Sequence, residues 1–178
     1  MSWDEELFAY LDDLEGQAAA LYAADRAPEL VDRSREEYQS VSLAARLMAG
    51  LDHDVTLEVT GIGAVSGRLV RVATGWCLLR AAGQDWVIRL EAVAAVHGGS
   101  SRAVPEVAWP SASRLGLGAA LRRLAESAEP CSLHRTDGAR HDGTLLRVGA
   151  DFVELAAGET GRVVLVPLGQ MAAAQSNG

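Results

Sequence analysis

Residues 142–155 read Asp-Gly-Thr-Leu-Leu-Arg-Val-Gly-Ala-Asp-Phe-Val-Glu-Leu, "DGTLLRVGADFVEL". One glycine opens an apolar run, a second turns the chain, and another apolar run returns. Upstream, residues 66–79 read "SGRLVRVATGWCLL", with the same shape. Placing Gly67 under Gly143, an offset of 76, sets Leu69 on Leu145, Arg71 on Arg147, Val72 on Val148 and Leu79 on Leu155. Trp76 falls on Phe152. Backwards, Val55 falls on Cys131, Leu57 on Leu133 and Thr60 on Thr136. After a two-residue insertion in the last hairpin, Leu90 meets Leu168 and Val93 meets Met171. Similar composition would account for shared apolar phase. It does not account for matching glycines and an Ala/Leu-rich helix signal ahead of each copy. The chain encodes one helix-plus-strands unit twice.

Size gives a reason for the doubling. A unit of about 45 residues is near the lower limit for a self-sufficient core, so two units are expected to bury surface on one another. The whole chain has 178 residues, nearly half of them apolar. Close-spaced short strands with turn glycines at Gly61, Gly63, Gly75 and Gly83 predict a small antiparallel barrel or sandwich for each unit. The expected fold is therefore α+β: an acidic helical arm over 1–39, helix plus first small β-barrel over 40–98, a linker over 99–112, and helix plus second barrel over 113–178. "HGGSSRAVPEVAWP", His97 to Pro110, reads as connector because Gly, Ser and Pro cluster there.

The N-terminus begins with a capping box, Ser2-Trp3-Asp4-Glu5. Leu7, Leu11, Leu14, Ala18 and Leu21 then recur at spacings of four and three, the stripe of an amphipathic helix to about Arg26. Pro28 is placed to open a second helix carrying Leu30, Tyr38, Val41, Ala45 and Met48, ending near Gly50 to Asp52. Ser111 or Ser113 is expected to cap a third, bearing Leu117, Leu121 and Leu124 and ending before Pro130. The acidic arm is expected to cover an open barrel edge or groove, to mask the arginine-rich face, or to dock a partner helix through Leu7, Leu11, Leu14 and Leu21. Covering is the simpler role, since exposed strand edges require it.

Residues 1–40 hold eleven acids and three arginines, a net −8, while residues 41–178 hold thirteen of each sign and are neutral. Every basic side chain is arginine, which codon usage explains most simply. No apolar run reaches the ~20 residues that span a bilayer. The acidic start lacks the form of a signal peptide, so a cytoplasmic protein is expected, without membrane partners. Two cysteines make no disulfide framework.

The motifs that carry chemistry are sparse. Cys77 and Cys131 lie in apolar strands and read as small core residues. His134 and His141 flank one hairpin and are placed to approach across it, yet no further ligand pattern completes a metal site. Gly61-x-Gly63-x-x-x-Gly67 lies between strands and opens no helix, so it is no phosphate loop. No nucleophile-elbow sequence occurs. Neither an enzyme nor a cofactor is expected. Arg114, Arg122, Arg123, Arg135, Arg140 and Arg147 concentrate in the second unit and offer a nucleic-acid face. Balancing acids argue against it, because such binding rests on uncompensated positive charge.

The run Leu133, Asp137, Gly138, Gly143, Leu145, then Ala150-Asp151-Phe152-Val153-Glu154-Leu155, resembles the Sm-like family of small β-barrels, over residues 40–98 and 113–175. The resemblance implies that Asp-Gly makes the first turn and that the second glycine lets the long strand bend. It also implies RNA-facing loops, but Glu154 and Leu78 stand where the family commonly has Asn. Ile88-Arg89-Leu90 keeps only the arginine of the family's Arg-Gly loop, and Val166-Pro167-Leu168 keeps neither residue. The whole chain is also similar to actinobacterial proteins, some labelled Fis-family transcriptional regulators. Those read DNA with a C-terminal helix-turn-helix, whereas "GRVVLVPLGQMAAA" reads as strand. The expected function is a regulatory interaction module that binds a protein partner, or itself, through a barrel edge or the helical arm. RNA or DNA binding by the arginines is the rival.

Overall fold

The computed structural model describes residue 17 and residues 38–176. The chain divides into two compact units, Met1–Val41 and Ser42–Gly178. Apart from Gln17, Tyr38 and Gln39, the arm, with its leucine stripe, lies outside the described residues.

Ten strands follow Ser42: β1 (Asp54–Val59), β2 (Gly63–Val72), β3 (Trp76–Ala81), β4 (Gln84–Arg89), β5 (Val93–His97), β6 (Pro130–Arg135), β7 (Arg140–Val148), β8 (Phe152–Ala157), β9 (Arg162–Pro167) and β10 (Met171–Ser176). Helix α1 (Leu43–Met48) precedes β1 and helix α2 (Leu117–Ser127) precedes β6. The strands form one antiparallel sheet in the order β5-β1-β2-β3-β4-β10-β6-β7-β8-β9. This corrects the expected α+β fold with two separate barrels. The protein is mainly β, and β4 pairs with β10 to merge both sets of strands into one sheet. The core follows the same logic. Trp76 and Val87 of the first set join Leu121, Leu133, Leu145, Leu155 and Met171 of the second in one buried cluster.

The pairing registers nevertheless repeat at the offset read from the sequence. Val55 opposes Gly67, and Cys131 opposes Gly143. A β-bulge between Leu69 and Arg71 recurs between Leu145 and Arg147. Loop hydrogen bonds repeat too: Ala73 N to Trp76 O as Gly149 N to Phe152 O, Leu90 N to Gly75 O as Leu168 N to Asp151 O, and Thr60 N to Ala92 O as Thr136 N to Gln170 O. The glycines are demanded by close approach. A Cβ at Gly67 would lie 2.3 Å from the Arg80 carbonyl oxygen, and one at Gly143 2.0 Å from that of Ala156.

Local chemistry corrects several boundaries. The long second helix does not run through to Gly50: the chain leaves helix at Ser40–Ser42, and Ser42 restarts it by accepting from Ala45 N at 3.1 Å. The serine side chain satisfies one of the amides left free at the new N-terminus. Neither Ser111 nor Ser113 caps α2. Ser111–Arg114 forms a single 3-10 turn, and Gly116 stands at the α2 N-cap without a side-chain bond. The helix ends at Ala128, in left-handed conformation at φ 51°, before Pro130. A 3-10 turn, Leu90–Ala92, separates β4 from β5. The connector is tied down: Val104 N donates to Ala45 O, Arg46 Nε to Ser100 O, and the Trp109 indole to Val104 O. The C-terminal region is strand, as β9 and β10.

Candidate functional site

The proposed basic face begins with α2. Its buried side is Leu121, so Arg122 and Arg123 point away from the core. Arg123 pairs with Glu126 at 3.1 Å. On the strands, Arg135 pairs with Asp137 at 2.5 Å, Arg140 with Asp142 at 2.7 Å and Arg147 with Glu154 at 2.8 Å. Arg140 and Asp142 act as one unit. The Arg140 guanidinium, then the Ser132 hydroxyl at 2.6 Å, hold the Asp142 carboxyl below its usual range. Among the described residues no carboxylate pairs with Arg114 or Arg122. Arg140 and Arg147 lie near opposite ends of β7, seven residues apart, at most about 23 Å at the rise of ~3.3 Å per strand residue. Four of six arginines thus have local carboxylate partners, and the six do not converge on one point.

His134 and His141 do not approach across their hairpin. His141 opposes Leu133 and His134 opposes Arg140, so successive side chains send them to opposite faces. His134 stacks on Trp86 with ring centroids 5.2 Å apart and bonds Gln175 Oε1 at 2.9 Å. No group of three metal-ligating side chains occurs among the described residues. Cys77 and Cys131 are buried and unbonded to one another. Burial pushes the Cys77 thiol up to about 12.

What the sequence reading missed is the β4–β10 seam. Ala173 opposes Ile88, Ala174 opposes Val87 and Gln175 opposes Trp86. Arg89 crosses it, Nε donating to the Met171 carbonyl and a terminal nitrogen to that of Gly169, both at 2.8 Å. Gln175 reaches Gln84 at 2.5 Å. The available signal was the small-residue run Met171-Ala172-Ala173-Ala174, matched by Val93-Ala94-Ala95-Val96. The seam also defines what is left open. β5 pairs only with β1 and β9 only with β8 among the described residues. Val163 and Leu165 on β9 are 50% and 58% exposed. These outer strands are the candidate site.

Comparison with protein-family models and with curated proteins finds no match. No helix among the described residues is long and apolar enough to cross a membrane.

Proposed function

We propose that this protein is a non-enzymatic interaction module that binds a protein partner through the open edges of its sheet. The observation that carries this reading is the β9 edge, which offers Val163 and Leu165 to water beside a backbone row that pairs with no further strand among the described residues. A strand edge of this kind accepts an incoming strand: main-chain hydrogen bonds give affinity, and alternate side chains give specificity.

The Sm-like motif supports a scaffold role in this reading, with the RNA role given up. Arg89, the residue kept from the family's second loop, spends its guanidinium on backbone carbonyls. Glu154, in the place of the family's Asn, is bound to Arg147. The charge balance of residues 41–178 points the same way.

A photo-reactive amino acid at position 165, compared with one at 146, tests the reading in the native cell. Leu146 is also exposed but lies on the inner strand β7. Position 165 is expected to capture protein where position 146 does not. Equal capture, or none at 165, would refute an edge-binding module.

A further inference from the structure

Helix α2 packs on β7 of the second set of strands, and on its other side a cleft opens toward the first set. The cleft holds about 380 Å³. Trp76 of β3 and Val87 of β4 line it from the sheet, and Ala119, Ala120 and Leu124 line it from the helix. Two exposed arginines stand at its mouth, Arg71 from β2 and Arg123 from α2. We propose that this cleft binds a small monocarboxylate, a molecule with an apolar body and one carboxylate end held by Arg71 and Arg123. The site is separate from the sheet edges and does not depend on the edge-binding reading above.

The sequence keeps the cleft both open and apolar. Ala119 and Ala120 offer only methyl groups on the helix face that Arg123 and Leu124 continue one turn later. Trp76 spends its one polar atom elsewhere: its indole N–H donates to the Leu115 carbonyl at 2.8 Å. Only the ring is left for the cleft. Thr74 N donates to the Ser113 carbonyl at 3.1 Å. These two bonds fasten the turn ahead of α2 to the β2–β3 loop, so the cleft stands formed without an occupant. A concave, mostly apolar space of roughly 300–1,000 Å³ with a few placed polar groups is the usual form of a small-molecule site.

The internal repeat shows why the charge at the mouth is available. The bulge that sets Arg147 opposite Glu154 sets Arg71 opposite Leu78. Arg147 is taken by its carboxylate at 2.8 Å, whereas no carboxylate pairs with Arg71 among the described residues. Arg123 is held by Glu126 at 3.1 Å, but the two side chains are 86% and 66% exposed. A pair so exposed contributes little, so a ligand can replace it. A guanidinium matches a carboxylate in a planar, two-bonded fork, and the apolar body covers the Trp76 ring and the exposed Leu115. One carboxylate fits where two do not. Val87 and Leu124 also line a neighbouring cleft of about 140 Å³, which carries Glu129 and the Arg80-paired Asp85. A second anionic end on that side meets like charge.

The test is titration of the purified full chain with decanoate below micelle formation, followed by NMR at the Trp76 indole N–H. A second titration uses 4-phenylbutanoate. Decanoate or 4-phenylbutanoate is expected to move that signal saturably, and the tighter of the two names a chain or a ring as the body. Arg71→Gln and Arg123→Gln, both at exposed positions, are each expected to weaken binding about tenfold with an unchanged melting curve. Ala119→Phe fills the cleft and is expected to abolish binding; Ala112→Phe, at an exposed position on the same cleft, replaces it if that variant fails to fold. Decanedioate is expected to bind more weakly than decanoate, and decylamine not at all. No saturable shift with either carboxylate at millimolar concentration overturns the proposal. So does decylamine binding as tightly as decanoate, or binding unchanged in both arginine variants, because the cleft then reads apolar surface alone.

Discussion

Arg89 donates to the carbonyl oxygen of Met171 across the seam at 2.8 Å, 82 residues away along the chain. Its side chain is only 13% exposed, and it also holds the Gly169 carbonyl. Hydrogen bonds from a charged group contribute roughly 1.5–3 kcal/mol each when their partners are otherwise unsatisfied. Arg89→Ala is expected to lower stability by about that amount in urea unfolding, and Arg89→Lys to restore only part, because an ammonium cannot reproduce the planar fork. An unchanged midpoint for Arg89→Ala would mean the seam is held by strand pairing alone.

The repeated glycines make a matched pair of tests. Gly67→Ala and Gly143→Ala each push a methyl group against a neighbouring backbone carbonyl, which cannot swing aside. Each is expected to cost roughly 1–3 kcal/mol, the usual penalty of overpacking. Gly75→Ala meets open space and serves as the control. Equal midpoints for all three variants would contradict the close approach.

Leu145 is 2% exposed and Leu69 fully buried, at equivalent places in the repeat. Truncating either to alanine is expected to cost ~2–5 kcal/mol by chemical denaturation. A loss near zero at one site alone would show that the two halves do not share one packing scheme.

Cys77 sets a pH dependence. Burial raises its thiol from 9.0 to about 12, so the folded state keeps a proton that the unfolded chain releases. Its contribution is complete below pH 9 and is lost as pH rises from about 9 towards 12. Native protein should resist iodoacetamide at Cys77 at pH 8.5, reacting only at the rate of unfolding. Rapid alkylation with the melting temperature intact would place the thiol at the surface.

For nucleic acid, titration of single-stranded RNA and duplex DNA at moderate salt is expected to show weak binding or none. Phosphate affinity needs free positive charge, and Arg123, Arg135, Arg140 and Arg147 are each beside a carboxylate. Tight, salt-sensitive binding abolished by neutralising Arg122, Arg123 and Arg140 would reverse the order of the two readings.

Most strand positions, the turn glycines and the doubling were legible in the residues, because each is written locally; the break at Leu90–Ala92 between β4 and β5 was not. Gly67 and Gly143 mark the same bend, and Val55, Leu57 and Val59 alternate with period two toward one face. The core leucines followed from that phase. The merging of the two sets of strands was not legible. Strand pairing is made by N–H and C=O groups that every residue but proline carries, so no side chain of β4 announces β10 as its neighbour. Alanines 172–174 only permit the approach. The site was hidden for the same reason: Leu165 resembles any strand leucine until its counterpart Val87 is seen covered. Side-chain pairing was settled at the same level. Arg147 reads as free cation in the sequence, and the bulge in β7 sets it opposite Glu154. What the sequence determined by itself was the unit and its repetition. The tertiary structure decided that the units share one sheet and leave two outer edges, since that choice rests on backbone geometry across some eighty residues.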